Sequence, residues 1–218
     1  MEVALATGGL SSESIYRLLL DELSARHVQG PILEAGAGIG LLTPQLLPYD
    51  SALTCVDLLP KPDTLPGNIP WIVADLNAPL PFSSETFATI VCTEVVGYLE
   101  NPHALFREFH RLLRPGGILL LTTPNQESLR SYACLLLEGH FMAFRHNSHP
   151  GHITALLRVD FERLCAHAGF FLPRFRYTDD GGLPKFPNVT WQKLFFGLPR
   201  GRLFSDNVLV TSTKKISC

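Results

Sequence analysis

The stretch best suited to chemistry is Glu34-Ala35-Gly36-Ala37-Gly38-Ile39-Gly40, an acid followed by three glycines at alternate positions. It follows the apolar pair Ile32-Leu33 and leads into Leu41-Leu42, so it reads as a buried strand turning over a glycine loop into a helix. Glycines there let backbone approach a ligand with no Cβ between, and a helix start leaves N–H groups unsatisfied. The NAD fingerprint G-x-G-x-x-G would put its third glycine at position 41, which is Leu41. Asp57 lies 21 positions after Gly36 (57 − 36). That is close to the roughly 20-residue spacing at which a strand-end acid reaches ribose hydroxyls in doubly wound folds. Its two oxygens could accept from both hydroxyls at once. Further acids close other apolar runs: Asp75 after Ile69–Val73 and Glu94 after Phe87–Cys92.

These residues need strands to hold them. The chain reads as alternating apolar runs and amphipathic segments: strands at 32–35, 53–57, 69–73, 87–92, 118–122 and 170–177, with a final strand at 207–212. Helices are expected from Gly40 to about Leu47, from the cap Asn101 and first-turn Pro102 to about Leu113, after Asn125 to about Glu138, and from Asp160 to Ala168 with Gly169 closing it. The dozen residues after Asp57 contain Pro60, Pro62 and Pro66, so the crossover there should be a turn, leaving one sheet face thinly covered. At the N-terminus, Ser11 or Ser12 could cap a helix presenting Ile15, Leu18, Leu19 and Leu23 on one face. That helix reads as packing, with Tyr16 an alternative lid residue.

With 218 residues, 46% of them hydrophobic and 17% charged, the chain can bury a large core as one domain. A formal charge of −2 provides no general attraction for nucleic acid or anionic membrane. The five cysteines are scattered with no C-x-x-C, which points to buried thiols in a reducing, cytoplasmic setting. No apolar run reaches membrane-spanning length, and residues 1–9 lack a signal-peptide pattern.

The E-x-G-x-G-x-G loop resembles that of class I S-adenosylmethionine (SAM) methyltransferases. The likeness is carried further by D-x-x-x-P-L-P-F from Asp75, E-V-V-x-x-L-E-N-P from Glu94, and L-R-P-G-G-x-L-L-L-T-T-P-N from Leu113. In that order they look like the methyltransferase family that includes the ubiquinone-pathway O-methyltransferases, over roughly Pro31 to Asn125. The resemblance implies an α/β, single-domain, Rossmann-like doubly wound sheet of seven strands, order 3-2-1-4-5-7-6, the last strand antiparallel. Residues 1–30 would be a tail and cap helix, and 31–218 the methyltransferase domain, with 139–152 and 178–204 as substrate-side loops. It also implies SAM as cofactor, with S-adenosylhomocysteine as product. The methionine end would lie at Gly36, Ala37, Gly38 and Gly40 with the ammonium toward Glu34. Ribose would be held by Asp57 with Leu58, adenine by Asp75 and Leu76, and the sulfonium side by Thr93 and Glu94.

Relatives often carry E-x-x-E-H after strand four, and some hold a divalent metal with it. Here Gly97 and Tyr98 replace the second Glu and the His, so no metal is expected. Four histidines fall within 140–152, and the segment reads as a substrate loop. His152 is the candidate general base for a hydroxyl acceptor, with structural capping as its alternative; Tyr98 would shape the pocket. His149 and Tyr16 are candidate substrate contacts. The aromatic stretch Phe186, Trp191, Phe195 and Phe196 reads as packing, or as a lid over an apolar acceptor. The expected activity is methyl transfer to a small-molecule O or N acceptor. A SAM-binding protein without catalysis and a protein or RNA methyltransferase are the alternatives.

Overall fold

The computed structural model describes residues 11–145, 151–184 and 186–216. Seven strands form one sheet: β1 (Ile32–Ala35), β2 (Thr54–Asp57), β3 (Trp71–Val73), β4 (Phe87–Thr93), β5 (Leu113–Pro124), β6 (Arg174–Tyr177) and β9 (Asn207–Thr213). Their order is β3-β2-β1-β4-β5-β9-β6, and β9 runs antiparallel to both β5 and β6. Counting β9 as the seventh strand of this sheet, the order is the one the family resemblance implied. β7 (Gly182–Leu183) and β8 (Phe186–Thr190) form a separate hairpin inside the expected loop 178–204.

Alternation along the central strands divides the core into two layers. Leu33, Ile90, Cys92, Leu119 and Leu121 face helices α3 (Pro102–Leu112) and α5 (Arg158–Ala168), where Phe106, Phe109, Phe161 and Phe170 are fully buried. Ile32, Val91, Leu120 and Leu209 face α1 (Glu13–Ala25) through Leu18, Leu19 and Leu23. The periodicity read at the N-terminus is therefore a packing face. Tyr16 is half-buried against this second layer.

Three local expectations are corrected. The helix after Gly40 is a single turn, α2 (Thr43–Leu46), because Pro44 and Pro48 leave it no length to propagate. Between β2 and β3 there is no helix, yet the face is not bare. Leu59, Leu65 and Ile69 are buried, Lys61 Nζ donates to the carbonyls of Gly67 and Ile69, and Trp71 Nε1 donates to Leu59 O. A loop of short turns covers the sheet because its apolar side chains, rather than its backbone regularity, fill the space. Strand β5 begins at once after α3, so Arg114-Pro115-Gly116-Gly117 belongs to the strand, with Gly116 at φ +77°. Helix α4 (Leu129–Glu138) is closed by Gly139, as α5 is by Gly169, both left-handed.

Candidate active site

The glycine loop sits at the C-terminal edge of the sheet, where ligands of doubly wound folds bind. Gly36, Gly38 and Gly40 have φ of +80°, +57° and +76°. A Cβ on Gly36 would overlap Val95 Cγ2, and one on Gly40 would lie 2.5 Å from Leu65 Cδ1. Glycine is thus required twice over, by conformation and by close approach. Gly36→Ala is expected to cost about 2–4 kcal/mol, the sum of left-handed strain and overpacking. Urea unfolding would check it, with Gly67→Ala, whose Cβ meets nothing within 4 Å, as a near-neutral control.

The loop's N–H groups are engaged within the protein. Gly36 and Ala37 donate to Val56 O, Gly40 to Ala37 O, and Gly38 to Asp57 Oδ2 at 2.7 Å. Asp57 also accepts from Leu59 N at 2.8 Å through Oδ1. The acid found by its spacing therefore clamps the glycine loop to the β2 exit, and each oxygen keeps one further lone pair. Leu58 beside it is 42% exposed. Asp75 is exposed and accepts from Asn77 N and Nδ2, while Leu76 is buried; Asn77 Oδ1 accepts from Glu100 N. Those bonds tie the loop after β3 to the turn after β4.

Two carboxyls lie deep in the site. Glu34 is 3% exposed and accepts from Thr43 Oγ1 at 2.7 Å and from Cys55 Sγ at 3.5 Å. Burial pushes its pKa up to about 7, against the opposing effect of those bonds. Glu94 follows β4 directly at φ +57°, a left-handed conformation costly for a residue with a side chain. Its N–H is shared between Thr122 O and Oγ1, and its Oε2 accepts from Asn207 Nδ2 at 3.3 Å. Its Oε1, like Thr93 Oγ1, is buried with no partner among the described residues. Burial again raises the carboxyl to about 7. Strain and an orphaned oxygen thus fall on one residue, which makes Glu94 a candidate ligand contact.

The turn after β4 carries the remaining candidates. Tyr98 lies 4.3 Å from the His152 ring, centroid to centroid, and Phe144 lies edge-on to the same ring at 5.3 Å. His152 Nε2 is buried without a partner among the described residues, and desolvation lowers the imidazole's pKa. Burial, and then the nearby Glu94 charge, raise that of Tyr98. Ile153 N and Thr154 N both donate to Gly97 O, and Thr154 Oγ1 donates to Leu99 O at 2.6 Å, so segment 152–154 is stitched onto the turn. The structure thus brings Glu94, Tyr98 and His152 to one end of the sheet. His149 and His146 lie outside the described residues; His140 instead pairs with Glu138 at 3.3 Å. Among the described residues, no group of three His, Cys, Asp or Glu side chains is set to hold a metal ion.

Sequence reasoning missed Thr43, Thr122, Phe144 and Asn207. Asn207 meets Glu94 across 113 positions through the antiparallel β5–β9 pairing. No linear signal marks such a partner.

A family profile described as a methyltransferase domain matches residues 12–172. The chain belongs to this methyltransferase family. The sheet order above is the one the resemblance to class I methyltransferases implied. It is 37% identical to nodulation protein S of Sinorhizobium fredii over 103 residues, 41% of this chain and 46% of that one. It is 31% identical to the ubiquinone biosynthesis O-methyltransferase of Xanthomonas oryzae pv. oryzae over 117 residues, 49% of each. The chain spans about half the length of the curated relatives it matches. The methyltransferase fold is shared with the 1,6-didemethyltoxoflavin-N1-methyltransferase of Burkholderia thailandensis, solved with that substrate and S-adenosylhomocysteine. The TM-score is 0.61 at 16% identity, covering 94% of this chain and 80% of that one.

Proposed function

We propose that the protein transfers a methyl group from SAM to a hydroxyl or amine of a small molecule, without a metal. The observation that carries the cofactor reading is the sign of the site. Glu34, Asp57, Asp75 and Glu94 line the sheet's C-terminal edge, and Lys61 nearby is engaged with backbone carbonyls. An acidic edge suits a ligand with a sulfonium and an ammonium and no phosphate, and it opposes the pyrophosphate of NAD.

SAM, when bound, supplies an electrophilic methyl whose leaving group is a neutral thioether. In this reading Asp57 accepts the ribose hydroxyls through its remaining lone pairs, and Asp75, through its free oxygen, accepts from the adenine amino group. Gly36 and Gly40 let the loop turn tightly against Val95 and Leu65, and Glu34 and Glu94 would offset the positive charge from either side. His152 Nε2 would take the proton that the acceptor's O–H or N–H gives up on methylation. Its desolvated, neutral imidazole suits that role. Tyr98 and Phe144 hold the ring, and alignment with exclusion of water supplies much of the rate.

Titration calorimetry with SAM and with NAD tests the cofactor, the expected result being binding of SAM alone; NAD binding without SAM binding sinks the reading. Among the described residues no helix is long and apolar enough to cross a membrane. Cys55, Cys92, Cys134 and Cys165 are buried and free, which suits a reducing compartment, and we place the protein in the cytoplasm on that ground.

A further inference from the structure

Position 97 has no side chain, and the space this leaves is filled by an imidazole. A Cβ on Gly97 would lie 2.6 Å from His152 Cδ2, nearer than real side chains approach, and in ordinary contact with Nε2 at 3.5 Å. Gly97 is not among the glycines with positive φ, so its backbone would accept alanine; what glycine supplies here is room. The backbone of the same residue does the holding. Its carbonyl oxygen takes the N–H of Ile153 at 2.7 Å and of Thr154 at 3.0 Å, immediately after the histidine. Tyr98 and Phe144 close two further sides of the ring, and Nε2 ends buried with no partner among the described residues.

We propose that Gly97 is the positioning residue for His152, its missing side chain forming the socket that holds the ring beside Tyr98 at the turn after β4. A carboxylate side chain at 97 and an imidazole from 152 would claim the same volume. The proposal rests on the reading of His152 as proton acceptor. Its geometric part, the socket, stands apart from which cofactor binds.

The test uses the full chain with histidine labelled at Cε1, following the imidazole signals by NMR against pH, with His152→Gln assigning the relevant one. In the wild type His152 is expected to titrate below the usual imidazole range. Gly97→Ala should push the ring out and return its midpoint to roughly 6.5, the unperturbed value. In parallel, Gly97→Ala should lower Tm by ~2–8 °C in the wild-type background and leave it unchanged when His152 is already alanine. An unmoved His152 midpoint in Gly97→Ala overturns the socket, and so does an equal Tm loss in both backgrounds. Should Gly97→Ala fail to fold, folding of the Gly97→Ala/His152→Ala double variant supports the socket, and its failure overturns it. SAM calorimetry on the same proteins keeps the readings apart: a wild type with the coupling intact that binds no SAM sinks the cofactor assignment and leaves the socket standing.

Discussion

Asp57→Ala is expected to lower SAM affinity by roughly 2–3 kcal/mol, about 30- to 150-fold in Kd, and to destabilise the protein as well. The affinity loss follows from removing a charged acceptor for the ribose. The stability loss follows from what the structure adds. Gly38 N and Leu59 N both donate to this carboxylate, and the residue is only 8% exposed, so truncation leaves two donors without their partner. Each orphaned group costs about 1–3 kcal/mol when buried, and the partial exposure of the loop favours the lower end. Asp57→Asn separates the two effects. It keeps an oxygen for one donor, so its unfolding free energy should fall less, while its loss of charge still weakens ribose binding. Calorimetry with SAM and urea unfolding on both variants read these quantities. Unchanged SAM affinity in Asp57→Ala would show that the ribose sits elsewhere.

The second large effect is pH dependence. Glu34 and Glu94 both titrate near 7 in the folded chain, against an ordinary value of 4.5, because burial penalises their charged forms. The folded state therefore binds their protons more tightly than the unfolded state. The resulting stability is fully present below about pH 4.5 and is lost as pH rises to about 7. For each carboxyl the loss is about 3 kcal/mol. His110 and His152, both lowered by desolvation, oppose this trend below the ordinary histidine range, since their folded forms resist protonation. The informative quantity is thus the difference between wild type and Glu34→Gln or Glu94→Gln. Each variant should flatten the decline in unfolding free energy between about pH 5 and 7.5. A cationic ligand reverses the preference of both carboxyls, so SAM binding should strengthen over the same range and release protons. Calorimetry in two buffers of different ionisation enthalpy would detect that release, and its absence would remove the two carboxyls from the cofactor's surroundings.

Much of the framework was legible in the chain. Apolar periodicity placed the strands and the main helices, because burial on one face leaves a repeat of two or about 3.6 that survives in the residues themselves. Asn101 caps α3 through a bond from Ala104 N at 3.0 Å, and Gly139 and Gly169 close α4 and α5, since caps are local chemistry. Where prolines cut a segment short, the outcome was harder to read. The loss of a helix after Asp57 was foreseeable from Pro60, Pro62 and Pro66. That Leu59, Leu65 and Ile69 would cover the sheet in its place was not, because loop burial depends on what lies opposite.

By itself the sequence determined the glycine loop, the strand-end acids and the family, all of them set by residues near one another along the chain. Only the tertiary structure decided how those groups are used. It turned the loop's N–H groups inward and made Asp57 a clamp as well as an acceptor. It also gave Glu94 an amide partner from 113 positions away. Gly97 shows the difference most plainly. Along the chain it reads as a missing carboxylate, and in the fold it is the space that His152, 55 positions on (152 − 97), occupies. A vacancy becomes a socket only when packing brings a ring to it, and packing between distant segments leaves no periodic trace in the sequence.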